Sequence, residues 1–89
     1  MSYKVMIGPT ASKFIRKLDK GNRERIKTFI LEELEGCDDP RNVRTFKILV
    51  EEENLCRYRV GNYRIICSID DNMLEIMIVK VGKRDKVYD

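Results

Sequence analysis

"LCRYRVGNYRIICSIDDNMLEIMIVKV", residues 55–81, decides how this chain folds. Apolar and polar residues alternate with the period of two that half-buried strands require, and Gly61-Asn62 interrupts them as a two-residue hairpin turn. Val60 then faces Tyr63, and Arg59 faces Arg64. Asp71-Asn72 reads as a second tight turn into a strand over Leu74 to Val81. With both turns placed, one face of the meander collects Cys56, Tyr58, Val60, Tyr63, Ile65, Cys67, Ile69, Leu74, Ile76 and Ile78, which is almost wholly apolar. The other collects Arg57, Arg59, Arg64, Ile66, Ser68, Glu75, Met77 and Val79. A slip of one residue would bury the arginines, so the register is strongly specified.

The residues before the meander supply what covers its apolar face. Tyr3 to Ile7 reads as a short strand closed by Gly8-Pro9. From about Thr10, an N-cap candidate, Phe14, Ile15 and Leu18 recur at helical spacing, and Gly21 closes this helix. A second helix runs from about Asn22 to Glu35, with Ile26, Phe29, Ile30 and Leu34 in one stripe. The short link implies an antiparallel helical hairpin. "GCDDPRN" is a loop by composition, Phe46 to Val50 a strand, and the acidic "EEEN" a connection. The order βααβββ(β) is expected to give a single α+β domain over residues 1–89. A helical hairpin would pack on one face of a mostly antiparallel sheet of four or five strands.

Composition removes several classes of function. The 89 residues are 43% hydrophobic and 37% charged, with a net charge of +3, which suits a small globular domain. No apolar run approaches the ~20 residues that span a bilayer, and "MSYKVMIG" has no signal-peptide core. Cys37, Cys56 and Cys67 are odd in number without CxxC spacing, and histidine is absent. That argues against a zinc site, a disulfide framework and every His-assisted nucleophile. No glycine loop for a nucleotide cofactor occurs. The reading is a cytosolic protein with reduced thiols and no metal or cofactor, whose chemistry uses Arg, Lys, Tyr, Asp, Glu or Cys.

Arg59 opposite Arg64 is the anomaly, because like charges directly opposed on a sheet are destabilising. A merely soluble surface would place Glu there. The terminal "VGKRDKVYD" brings Lys83, Arg84, Lys86 and Tyr88, and with Arg64 opposite Val79 it should emerge beside the arginine pair. Such a cationic face suits a polyanion, since guanidinium groups fork onto phosphates and stack on bases. The helix cations Lys13, Arg16, Lys17, Lys20, Arg23, Arg25 and Lys27 read most simply as the wet side of the hairpin.

Strand, helical hairpin, "RYRVGNYRIICSIDD" and "MIVKVGKRDKVY" together resemble the RelE/ParE toxin superfamily of type II toxin–antitoxin systems, over nearly the whole chain. The resemblance is nearest to the RelE branch, whose members cleave mRNA in the ribosomal A site; ParE-type members share the fold and poison DNA gyrase. It implies catalytic roles for Arg64, Arg84, Tyr88 and Arg59, and RNA-binding roles for Arg57, Lys83, Lys86 and Lys47. The implied partners are a RelB-like antitoxin, the small ribosomal subunit and mRNA, with a toxin–antitoxin heterotetramer binding operator DNA through the antitoxin. The chain departs from the pattern at "ILVEEENLCRYRV", where Cys56 stands at the usual tryptophan. The implied chemistry is attack of a ribose 2′-OH on the adjacent phosphate without a metal.

Overall fold

The computed structural model describes residues 1–50 and 54–84. A five-stranded sheet of order β1-β5-β4-β3-β2 carries two helices on one face. Its strands are β1 (Lys4–Ile7), β2 (Lys47–Ile48), β3 (Leu55–Val60), β4 (Tyr63–Asp70) and β5 (Glu75–Lys83). The helices are α1 (Pro9–Arg16) and α2 (Lys20–Phe29). Among the described strands the β1–β5 pairing is parallel and the other three are antiparallel. The α+β architecture expected from the sequence is present.

Local chemistry explains the elements, with some boundaries displaced. Gly8, not Thr10, is the N-cap of α1, because Pro9 takes the first helical position where its missing N–H costs nothing. Gly21 does not end α1; it lies in the first turn of α2, whose N-cap is Asp19. The Asp19 carboxylate accepts from the Asn22 amide at 3.1 Å, satisfying a donor the helix leaves open. After Phe29 the helix widens into a π-type turn over Ile30–Leu34, with the Glu35 amide bonded to the Ile30 carbonyl at 2.8 Å. Ile26, Ile30 and Leu34 still share one face and are buried, while Leu31 is exposed.

The core lies between that stripe and the apolar face of the meander, with Tyr58, Ile65, Cys67, Ile76 and Ile78 fully buried. Tyr58 is its centre. Its ring meets Phe29 and Phe46 at centroid distances of 5.6 and 5.8 Å, and its hydroxyl donates to the Pro40 carbonyl at 2.6 Å. Cys56 and Cys67 face each other across β3 and β4, and burial raises both thiols, that of Cys56 to about 11. They are protonated core residues, as expected, and not nucleophiles.

The β3–β4 hairpin has the anticipated register, with Val60 opposite Tyr63 and Arg59 opposite Arg64. Gly61 has φ +59° while Asn62 does not enter the positive region, the pattern of a type II′ turn. The next connection differs from the expectation. Asp70 accepts from the amides of Asn72 and Met73, and this side-chain turn stretches the loop to Asp71–Leu74. The register then shifts once more, with Ile66 opposite Lys80 and Cys67 opposite Ile78, so Val79 is the extra residue of a bulge. Arg64 therefore faces Gly82 rather than Val79, and β5 runs on to Lys83 instead of stopping at Val81. Beyond the loop, β2 is two residues long, shorter than Phe46 to Val50.

Candidate functional site

The sheet face turned away from the helices carries the cationic residues in two rows. One row runs Lys47, Arg57, Ile66, Lys80 across β2, β3, β4 and β5; the next runs Arg59, Arg64, Gly82. The Arg59 amide points away from β4 and donates to the Thr45 hydroxyl at 3.1 Å. Arg59 and Arg64 are thus a non-hydrogen-bonded pair, the closer of the two spacings in an antiparallel ladder. Gly82 presents no side chain to Arg64. Arg84, just past β5, is tied to the hairpin turn by its amide on the Asn62 carbonyl at 2.8 Å, and the Arg64 Nε donates to the Arg84 carbonyl at 3.3 Å. The shift of two turn residues and one bulge residue is what delivers Arg84 to Arg64.

Arg59, Arg64 and Arg84 are therefore brought together, with Arg59 and Arg84 exposed and Arg64 half-buried. Among the described residues no carboxylate forms an ion pair with Arg59, Lys83 or Arg84; the ion pairs there are Lys27–Glu24 and Arg41–Asp71. The other expected residues are distributed differently. Arg57 is not on an open surface: it is 7% exposed, and its guanidinium donates to the Thr45 carbonyl at 2.8 Å. Ile66 beside it is also buried. Lys47 is exposed opposite Arg57. Lys83 pairs with Tyr63, so alternation turns it to the helix side of the sheet end. Lys86 and Tyr88 lie outside the described residues.

Three participants escaped the sequence reading. Thr45 holds both Arg57 and Arg59, and only its position ahead of Phe46 hinted that it flanks a strand. Arg25 of α2 reaches the hairpin turn, where its Nη1 would stand 3.0 Å from a Cβ placed on Gly61. Lys80 joins Lys13, Lys17 and Lys83 around an apolar floor of Phe14 and Val81, in a groove between α1 and the end of β5. Because β1 pairs with β5 only as far as Ile78, the stretch Val79–Lys83 has no strand paired to that edge among the described residues.

A helical hairpin on one face of a mixed five-stranded sheet, with arginines gathered on the other, is the fold of the RelE/ParE toxins. The chain belongs to the ParE toxin family of type II toxin–antitoxin systems, whose family model matches residues 5–88. It is similar in structure to the Mycobacterium tuberculosis toxin–antitoxin complex RelBE2, with 26% identity and a TM-score of 0.78 over 94% of this chain and 100% of that one. The archaeal RelE–RelB complex of Pyrococcus horikoshii is 29% identical with a TM-score of 0.73, over 97% of this chain and 99% of the other. A mutant of the E. coli toxin RelE in the free state is 25% identical with a TM-score of 0.76, over 99% and 92%. None of the curated protein sequences matches the chain.

Proposed function

We propose that this toxin is a ribosome-dependent mRNA endonuclease. The observation that supports the reading most directly is the convergence of Arg59, Arg64 and Arg84 on the open sheet face, held there by the Arg64–Arg84 contact. A structural surface gains nothing from opposing two arginines, whereas a phosphodiester passing through a pentavalent transition state gains from every cation aimed at it. In the proposed step the 2′-oxygen bonds to phosphorus and the 5′-oxygen departs. A cyclic 2′,3′-phosphate and a free 5′-hydroxyl result once a proton has moved from one oxygen to the other. Arg64 and Arg84 hold the added negative charge, and Arg59 and Lys47 track the backbone. Buried Arg57 positions the Thr45 segment against Arg59 rather than touching RNA. Lys83 is the better proton carrier, since arginine stays protonated; the near-terminal Tyr88 is proposed to stack on a base or exchange a proton. With no histidine, free RNA should be a poor substrate, and orientation by the ribosomal A site would supply about 7–11 kcal/mol in the most favourable case.

The partner proposed is a RelB-like antitoxin. An extended acidic segment would find lysines and, along Val79–Lys83, a strand edge with no paired strand among the described residues, and the pair could assemble into a heterotetramer that reaches operator DNA through the antitoxin. The match to the ParE model favours one second reading, a gyrase poison without nuclease activity. A purified translation system and a gyrase supercoiling assay, run side by side, separate the two. Cleavage of ribosome-bound mRNA with supercoiling untouched supports the first reading, and the reverse result overturns it.

A further inference from the structure

Next to the arginine cluster, a groove opens between the α1–α2 joint and the hairpin turn, lined by Asp19, Asn22, Asn62, Tyr63, Lys83 and Arg84. Its composition is unlike that of the cationic face. Two cations share the groove with a carboxylate and two carboxamides, Asn62 lying beside Arg84 and Asn22 beside Asp19. The buried Tyr63 ring, packed edge-on against Phe14 at 6.1 Å, forms a rigid floor. Asp19 accepts one hydrogen bond on each oxygen, from the Asn22 amide at 3.1 Å and from the Asn22 side-chain Nδ2 at 2.9 Å. An ionised carboxylate has about four acceptor positions, so these two bonds do not exhaust its capacity, and Asp19 lines the groove. The hydrogen bonds from Asn22, side-chain first, hold its pKa below the usual 3.8, so at neutral pH it is ionised and can only accept. Arg84 belongs to both features, since its amide is anchored on Asn62 and its carbonyl on Arg64. A phosphate held at Arg84 therefore has its neighbouring nucleoside within reach of the groove.

We infer that this groove is a base-reading subsite for the nucleotide beside the scissile phosphate, selecting a base with an exocyclic amino group over uracil. Cytosine, adenine and guanine each offer an amino group to Asp19, and the Asn22 and Asn62 carboxamides can pair with adjacent edge atoms. Uracil presents carbonyl oxygens on either side of a single N–H, and those oxygens oppose a carboxylate. Lys83 and Arg84 meet the phosphate and carry no base information. The inference rests on the nuclease reading and adds to it the determinant of sequence preference.

The test uses the purified toxin, a reconstituted translation system and an mRNA with every codon in frame, with cut positions mapped by sequencing. Asp19→Ser keeps a helix-capping oxygen but removes the carboxylate, and Asn22→Ala removes one carboxamide, and with it the Nδ2 bond to Asp19, while the main-chain bond from residue 22 to Asp19 remains. The wild type should disfavour uridine at one codon position, and both variants should relax that bias by about tenfold. Circular dichroism melts establish that each variant is folded. Folded variants with the wild-type base distribution would overturn the inference while leaving the nuclease reading intact. A wild-type protein that cuts no ribosome-bound mRNA would overturn both.

Discussion

Replacing Arg59 by Gln tests whether the cationic row is kept against the interest of stability. Arg59 and Arg64 are register partners at the closer ladder spacing, so their charged heads share one small patch. Opposed like charges there cost on the order of 0.2–1 kcal/mol. Coulomb's law agrees: two unit charges about 7 Å apart in water repel by about 0.6 kcal/mol. Arg59 is exposed, its side chain makes no hydrogen bond or ion pair among the described residues, and Gln keeps a polar tip, so little is lost in exchange. A net stabilisation of about 0.5 kcal/mol, at a urea slope of about 1–1.5 kcal/mol/M, raises the unfolding midpoint by roughly 0.3–0.5 M. At 1 M salt the screening length falls to about 3 Å and the gain should disappear. Cleavage in the translation assay should fall about tenfold through the lost cation. Urea titrations by fluorescence at low and high salt measure the first effect. A variant less stable than wild type at low salt, or a gain indifferent to salt, would refute the repulsion argument.

Three further expectations concern other residues. Arg84→Ala leaves the main-chain bonds to Asn62 and Arg64 in place, so stability should change by less than about 0.5 kcal/mol while cleavage falls about a hundredfold or more; melting curves and single-turnover cleavage check both. Tyr58→Phe strands the buried Pro40 carbonyl and should cost about 1–3 kcal/mol, lowering the melting temperature by roughly 4–8 °C for each kcal/mol. The third concerns Asp71, which takes both Arg41 nitrogens at 2.9 and 3.0 Å and the Tyr3 hydroxyl at 2.6 Å. Hydrogen bonding to Arg41 lowers the Asp71 carboxyl from its ordinary 3.8, and hydrogen bonding to Asp71 raises the Tyr3 phenol from 10.0. The carboxylate's contribution is present above about pH 4 and is lost as pH falls through the depressed value. The phenol's is present below about pH 10 and is lost as pH rises through the raised one. Stability should plateau between these limits, and Asp71→Asn should flatten both flanks of a pH titration of the urea midpoint.

Residues 55–70 determined by themselves most of what positions the site. A two-residue turn and a period of two leave one register that buries Tyr58, Ile65 and Cys67, and that register places Arg59 against Arg64 wherever the rest of the chain lies. The helical stripe Ile26, Ile30, Leu34 was equally legible, because its spacing is local. Three matters were left to tertiary structure. The partner of Arg64 depended on Asp70 capping its own turn and on a bulge at Val79, each of which adds to the register without altering the hydrophobic pattern. The burial of Arg57 goes with a hydrogen bond to the Thr45 carbonyl, and main-chain acceptors leave no trace in side-chain identity. The groove between Asp19 and Asn62 joins residues 43 positions apart through the packing of α2 against the hairpin end, a contact that no period in either segment encodes. Patterns with a short repeat are read from the chain because each residue's environment follows from its neighbours. A bulge, a buried carbonyl acceptor and a cleft between two elements depend on how separate elements settle against one another.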